Sequence, residues 1–398
     1  MCGRSARREL VVEIIHDCEH PTAITSWLAL EGASNQPDFF QSFRWCSYVA
    51  RIRTHVDPTR YRPLVAIAFA GSKPVALWPL SRQKGALISL CNLDDPFGQF
   101  AGLLSAYQSA ADVLVARTLS HVKERGLADL ARIERVIKGS PLEGALLASG
   151  ISTRPSTEAP YLDLAGCESF SQLKLARNKK TMKNLRNATN RLRREGDLTA
   201  VVSAERDDFS RIAKEAFANR EAWLIASGRT APAFRSPAYR EIVGGAEAAE
   251  LDGVRLGFEL RSNGTSIAQQ IGYVHRGRYY ACLSGMDPSK HEFMPGKIHL
   301  GLVIEEVLAR GLEGIEFLSP ASDYKLTWTK TVRELADATV GLSRIGRLRL
   351  YSWDAVARPI LKRLFYCLPV TLRRLLLTPR FQGKRVNAHG FLRNREPM

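Results

Sequence analysis

The chain has 398 residues and a formal charge of +17. That length exceeds the size at which one hydrophobic core stops growing, so two domains or one duplicated unit is expected. Hydrophobic residues make up 45% and charged residues 24%, which excludes a wholly disordered chain and a fibrous repeat.

No stretch reaches the roughly 18 apolar residues of a membrane-spanning helix. Arg4, Arg7 and Arg8 precede an apolar run, Leu10 to Ile15, that is short and broken by Glu13, so no secretory leader is expected. Seven cysteines lie scattered at 2, 18, 46, 91, 167, 282 and 367, with no CxxC pair. That pattern suggests neither a zinc site nor a disulfide framework, and no metal is expected. A reducing, cytoplasmic compartment fits it best.

In chain order, residues 10–60 read as helical and mixed, with Trp27, Phe39, Phe40, Phe43 and Trp45 as core. Leu64 to Ala70 reads as a strand, Gly71-Ser72-Lys73-Pro74 as a turn and Val75 to Leu80 as the returning strand. A Gly/Asp/Pro loop follows from Asn92 to Gly102, then a helix from Ala110 closed by Gly126, then a strand near Ile133 to Val136. Residues 204–250, with Trp223 and Phe234, read as a long helical connection. The first order then recurs. Val254 to Leu260 and Ser266 to His275 are strands around an Asn263-Gly264 turn, and Arg278 to Leu283 is a third. A loop, Ser284 to Gly296, leads into a helix, Lys297 to Arg310, stopped by Gly311, and a strand from Gly314 to Leu318. Glu124-Arg125-Gly126-Leu127 echoes Ala309-Arg310-Gly311-Leu312, so the chain reads as a diverged duplication.

The charge is concentrated in two segments. Residues 171–196 carry nine Lys/Arg against Glu195, and residues 344–398 carry thirteen against Asp354 and Glu396. The first reads as an amphipathic helix, with Met182, Leu185, Ala188 and Leu192 on one side and Leu175 in line with them. Its opposite side is either a solvated face or a docking strip for a polyanion. The second carries Ile360, Leu361, Leu364, Phe365, Leu368, Leu372 and Leu375 to Leu377 between basic residues, with Pro369 as a break. It reads as a helical hairpin packed on the body or as a basic pair of helices on a membrane surface. Residues beyond about 380 read as an unstructured tail.

The chemical signal is Phe293-Met294-Pro295-Gly296-Lys297 at the start of a helix. The first helical turn leaves N–H groups unpaired and carries partial positive charge. A glycine there lets an anion approach the backbone, and Lys297 adds a full charge. The same residues are also compatible with an ordinary Pro-Gly turn. Neither GxGxxG nor GxxxxGK[ST] occurs.

Residues 160–328 resemble the GNAT-type acetyltransferase domain of the cellulose-biosynthesis CelD-like family. The resemblance rests on the basic helix with Lys179-Lys180 and Arg186, on the three-strand, Pro-Gly, helix order through Gly296, and on Tyr324-Lys325 followed by Trp328. Glu316 stands where that family usually has Asp, Pro320 where it has Gly, and Met294 where Ser commonly precedes Pro-Gly. The resemblance implies an α/β (α+β) chain of tandem GNAT-like domains, similar to Fem-type transferases, with mixed sheets flanked by helices. Residues 1–160 would form the N-terminal half and 161–343 the C-terminal acyltransferase domain, which contains the basic helix; 344–398 would be a basic amphipathic extension.

It further implies acyl-CoA, acetyl-CoA first, with its pyrophosphate on Pro295, Gly296 and Lys297 and its pantetheine along the strand through Cys282 and Leu283. Acyl transfer needs a base, an oxyanion donor and an acid for the thiolate. Glu316 and Asp323 are the carboxylates nearest the predicted strand end, and Tyr324 is a candidate acid. Glu316 also reads as a solvent-facing strand residue, and Tyr324 as a core aromatic with its hydroxyl satisfied at the rim. Gln269 and Gln270 interrupt an apolar strand, and alternation sends one of them to the site. Lys325 reads as binding acceptor charge or pairing with Asp323, and Trp328 as lining the acceptor. His299 reads as a packing histidine. With no recognisable nucleophile, direct transfer is expected. The acceptor would be an amine or hydroxyl of a small molecule or glycan, in polysaccharide or cell-envelope synthesis. The alternatives are a Fem-like enzyme using aminoacyl-tRNA, held by the basic helix, and a non-catalytic protein bound to an anionic membrane surface through 344–398.

Overall fold

The structure, a computed structural model, describes residues 10–33, 38–229, 231, 233–244 and 251–381. The expected tail beyond 380 and the arginines before Leu10 lie outside these.

The N-terminal half begins with strand β1 (Leu10–Ile15) and helices α1 (Pro21–Ala33) and α2 (Phe43–Val56). A meander follows: β2 (Tyr61–Ala70), β3 (Lys73–Lys84) and β4 (Ile88–Asn92). The short β5 (Leu104–Ser105), helix α3 (Gln108–Glu124), β6 (Leu130–Ile137), α4 (Pro141–Ala148) and β7 (Thr153–Asp163) complete it. The C-terminal half runs α5 (Phe170–Leu175), α6 (Lys179–Glu195), β8 (Leu198–Ser203), α7 (Arg206–Ala226), α8 (Pro237–Gly244), β9 (Arg255–Ser262), β10 (Thr265–His275) and β11 (Arg278–Met286). Then come α9 (Pro295–Ala309), β12 (Gly314–Glu316), α10 (Asp323–Leu326) and β13 (Val332–Gly341), followed by α11 (Arg344–Arg349), α12 (Arg358–Cys367) and α13 (Val370–Phe381).

The strands form one mixed sheet in the order β1-β2-β3-β4-β6-β13-β7-β12-β11-β10-β9-β8, with β5 beside β3. The two halves mirror each other about its centre. In each, an antiparallel meander ends in a strand that runs parallel to the strand after a helix: β4 with β6, and β11 with β12. The duplication read from the sequence is therefore present in the topology. The halves also exchange their last strands. β13 pairs with β6 on one side and β7 on the other, and β7 pairs with β12. A boundary at residue 160 falls inside β7.

Three sequence readings differ from the structure. Leu10–Ile15 is an edge strand paired with β2, not part of a helical region; its alternating exposure is a strand pattern. The basic stretch 171–196 is two helices, because Asn178 caps α6 by accepting from the Thr181 N–H. Leu175 thus ends α5 and is 83% exposed, off the apolar face that Ala188 and Leu192 bury. The 204–250 stretch is interrupted at Gly228, whose φ of +61° ends α7's last turn.

One face of the sheet is covered by α1, α2, α7 and α8 over an aromatic core that spans both halves. There Phe39 stacks on Tyr273 with centroids 4.9 Å apart, and Trp45 packs against the same ring. The five aromatics read as core are buried or packed against that core. On the other face α3 and α4 cover the N-terminal half, and α9 covers the C-terminal half through Ile298, Leu300, Val303, Ile304 and Val307. Each such burial contributes about 1.5–3 kcal/mol. Among the described residues no helix is long and apolar enough to cross a membrane.

Candidate active site

β12 is only three residues long and ends at Glu316, opposite Tyr280 of β11. β11 continues to Met286, paired with β10 alone. From Ala281 onward no strand among the described residues pairs with its other edge, and a cleft opens there. α7 lies against this edge because residue 285 is glycine: a Cβ there would stand 2.6 Å from the Ala216 carbonyl oxygen. That close approach brings Asn219, Arg220 and Trp223 to the cleft.

The first chamber, about 260 Å³, is lined by these α7 residues, by Ser284 to Met286, by Gly296 and Lys297, and by Tyr324. At its α9 end Met294 adopts a left-handed conformation, φ 53° and ψ 47°, and no side chain caps the helix. The Lys297 N–H turns back on the Met294 carbonyl at 3.0 Å, and Pro295 has no N–H. The open anion cradle is therefore a single amide, Gly296, beside the Lys297 side chain. Pro295 is buried beneath it and seats the helix. His299 also lines this chamber. It is buried, its Nε2 has no partner among the described residues, and burial lowers its pKa to about 4. The expected packing histidine is thus a neutral ring with one buried nitrogen that has no partner among the described residues.

The second chamber, about 540 Å³, continues past Arg220, Gln270, Ser284, Leu300 and Tyr324, which line both. Its far wall belongs to the N-terminal half: Gln83, Asp95, Gln99, Arg132, Glu134 and Arg135. Two ion pairs order that wall, Arg135 with Asp95 and Arg132 with Glu134, each at 3.0 Å. Ser319 on the C-terminal side donates to Gln99 Oε1 at 2.9 Å, tying the halves together.

The sequence-derived residues divide between the chambers and the core. Gly296 and Lys297 reach the first chamber, Tyr324 the junction, and Lys325, Cys282 and Leu283 the second. The strand segment that shares the first chamber with Gly296 is Ser284 to Met286, and Cys282 and Leu283, expected along the pantetheine, line the second chamber. Burial pushes the Cys282 thiol up and makes it inert. Both Gln269 and Gln270 line the cleft, rather than one of them. Gln269 accepts from Asn219 Nδ2 at 3.0 Å, and Gln270 Nε2 donates to the Leu283 carbonyl at 3.2 Å. Lys325 does not pair with Asp323. Its Nζ donates to the carbonyls of Leu318 and Pro320, at 2.9 and 3.1 Å. Burial, with the Arg220 charge adding to it, lowers that amine to about 7.

Three candidates are not brought to the cleft. Glu316 is buried and clamped by Arg333 Nη2 at 2.8 Å and Arg278 Nε at 3.1 Å, with both guanidiniums over the Tyr161 ring. That is a structural ion cluster, in which both carboxylate oxygens accept from guanidiniums. Asp323 opens α10 and is exposed, outside both linings. Trp328 is a core residue stacked on Phe170, centroids 5.7 Å apart, against Gly301.

Sequence reasoning missed the α7 residues and the N-terminal wall. Arg132-Ile133-Glu134 was a usable signal, since two charges on one face of an otherwise apolar strand need a polar chamber or partners. Among the described residues no group of three His, Cys, Asp or Glu is placed to hold a metal.

Residues 179–326 match the acetyltransferase (GNAT) domain family. No curated protein matches the chain. Among solved structures it is similar to FemX, at 12% identity over 85% of this chain and 99% of that one, TM-score 0.58. It is similar also to the C-terminal domain of a putative lysylphosphatidylglycerol synthetase from Agrobacterium fabrum, at 15% identity over 84% and 96%, TM-score 0.51. A third is a tandem GNAT protein from the clavulanic acid biosynthesis pathway, at 11% identity over 84% and 99%, TM-score 0.50. The fold is thus the tandem GNAT-type α/β arrangement expected from the sequence. On the likeness of residues 179–326 to an acetyltransferase domain, the chain is a transferase.

Proposed function

We propose that the protein transfers an acyl group from acyl-CoA, acetyl-CoA first, to an amine or hydroxyl of a small molecule or glycan. The observation that carries this is the unpaired β11 edge running from the open α9 start to a waist at Tyr324, where a second chamber meets it. One diphosphate oxygen would accept from the Gly296 N–H, with Lys297 beside it. The pantetheine would follow Ser284 to Met286 and bring the thioester to the waist.

The acceptor, entering through the second chamber, attacks the thioester carbonyl. Its N–C or O–C bond forms as the C–S bond breaks. Lys325, whose amine is part neutral near pH 7, takes the acceptor proton, and the Tyr324 hydroxyl protonates the departing thiolate. The likeness of Tyr324-Lys325 to the CelD-like motif supports an acceptor of polysaccharide or envelope synthesis. Calorimetric titration with acetyl-CoA and longer acyl-CoAs tests the donor. Binding is expected, weakened about tenfold by Lys297→Ala, the loss of one charge-assisted contact. No binding at millimolar ligand overturns the reading; tRNA recovered with the protein in its place would shift the donor to aminoacyl-tRNA on the α6 cations.

We also propose that α11–α13 rest on an anionic bilayer surface. Among the described residues, 11 of the 17 large exposed hydrophobics lie between Ile345 and Leu376. Arg344, Arg347, Arg349, Lys362, Arg363, Arg373 and Arg374 share that stretch with them.

A further inference from the structure

Charge is unbalanced where the two chambers meet. The second chamber contains Arg132, Arg135, Arg220 and Lys325 against Asp95 and Glu134. The two acids are paired with Arg135 and Arg132. Lys325 is held by backbone carbonyls. Arg220 lies over the Trp223 ring, its Cζ 4.3 Å from the centroid, and among the described residues no oxygen accepts from it. Most of its surface is covered, and burial lowers its affinity for its proton, yet a guanidinium stays charged at any working pH. A partly desolvated guanidinium with no protein acceptor gains from a counter-ion that reaches it. The guanidinium is held over the Trp223 ring, and a guanidinium fork receives a carboxylate or phosphate by two parallel hydrogen bonds.

We infer that one of the two substrates carries a carboxylate or phosphate that Arg220 holds at the waist, beside the group undergoing transfer. This rests on the acyl-transfer reading and adds to it the anionic class of the substrate. The anion can belong to the acyl chain or to the acceptor; the chemistry at Arg220 is the same.

Thiol release from CoA is measured with acetyl-CoA against succinyl-CoA as donor, and with glycine against glycinamide as acceptor. The anionic member of one pair should be favoured about tenfold or more. Arg220→Gln should erase that preference, and Arg220→Lys should restore part of it. Equal use of charged and neutral members, or a preference unchanged in Arg220→Gln, overturns the inference. If no acceptor of the set turns over, inorganic phosphate titrated by calorimetry decides: binding that Arg220→Gln abolishes supports the subsite, and binding that is absent or unchanged in the variant refutes it. Acetyl-CoA titrated in parallel separates the two levels. Acetyl-CoA bound without an Arg220-dependent anion removes the subsite and leaves the transferase reading standing. Failure to bind acetyl-CoA removes the reading itself.

Discussion

At the scale of single residues, Lys325 is the group whose environment matters most for chemistry. An unfolded lysine titrates near 10.4. In the fold, burial and the Arg220 charge bring it to about 7. Below pH 7 both states hold the proton, and the cost of burying the charge is fully present. Between about 7 and 10.4 the unfolded chain holds a proton that the folded one lacks, so this residue's contribution to stability rises with pH across that window. In the proposed mechanism the same titration makes it the base near neutrality. The transfer rate should therefore climb about tenfold per pH unit below 7 and level off above it. Lys325→Arg keeps donors for the Leu318 and Pro320 carbonyls but is never neutral. It should still bind acyl-CoA, lose the rising limb and drop about 10²–10⁴-fold in rate. A pH–rate profile with the limb intact in that variant would remove Lys325 from the mechanism.

Elements were legible where local chemistry punctuates them and illegible where partners are remote. The β2–β3 and β9–β10 hairpins announced themselves through Gly71 and Asn263-Gly264, and α3 and α9 through their terminal glycines. Gly296 and Lys297 follow from the same reading, because a helix start is a local feature; Tyr324 comes from the resemblance of Tyr324-Lys325 to the CelD-like motif. Glu316 is the counter-case. Its place on the strand that starts at Gly314 is legible, but that strand ends at Glu316 rather than Leu318, and the residue's role depends on Arg278 from the neighbouring strand and Arg333 from β13, residues no local pattern connects. The exchange of β7 and β13 was unreadable for the same reason. Placed in the cluster, Glu316→Gln leaves two guanidiniums facing a neutral amide. Because both arginines keep about a quarter to a third of their side chains exposed, the loss should be about 2–3 kcal/mol, below the range for a fully buried pair. Urea denaturation measures it. The folded variant should still release thiol from acyl-CoA; collapse of turnover with stability unchanged would return Glu316 to the catalytic list.

For the whole molecule, the exchanged strands make the second chamber a joint product of both halves, with the waist on the C-terminal side and a supporting wall on the N-terminal side. The C-terminal helices attach next to that waist. Arg373 Nη1 reaches the Gly228 carbonyl at 3.4 Å and Arg374 Nε the Ala226 carbonyl at 2.7 Å, at the end of the helix that carries Arg220 and Trp223. On α12, Ile360, Leu361 and Leu364 lie on one side of the helix and Lys362 and Arg363 on the other, with the apolar side exposed. A bilayer satisfies both at once: acyl chains take the leucines, and anionic headgroups take the cations, each worth about 1 kcal/mol near the surface. The full chain should therefore float with vesicles of phosphatidylglycerol and phosphatidylcholine, float less with phosphatidylcholine alone, and detach as salt is raised. Leu361→Asp with Leu364→Asp should abolish flotation while acetyl-CoA binding persists, since neither residue lines the cleft. Equal flotation on neutral vesicles, or none on anionic ones, would refute the membrane assignment. A concentration-dependent dimer lost in the same double variant would give the face to a second copy of the chain.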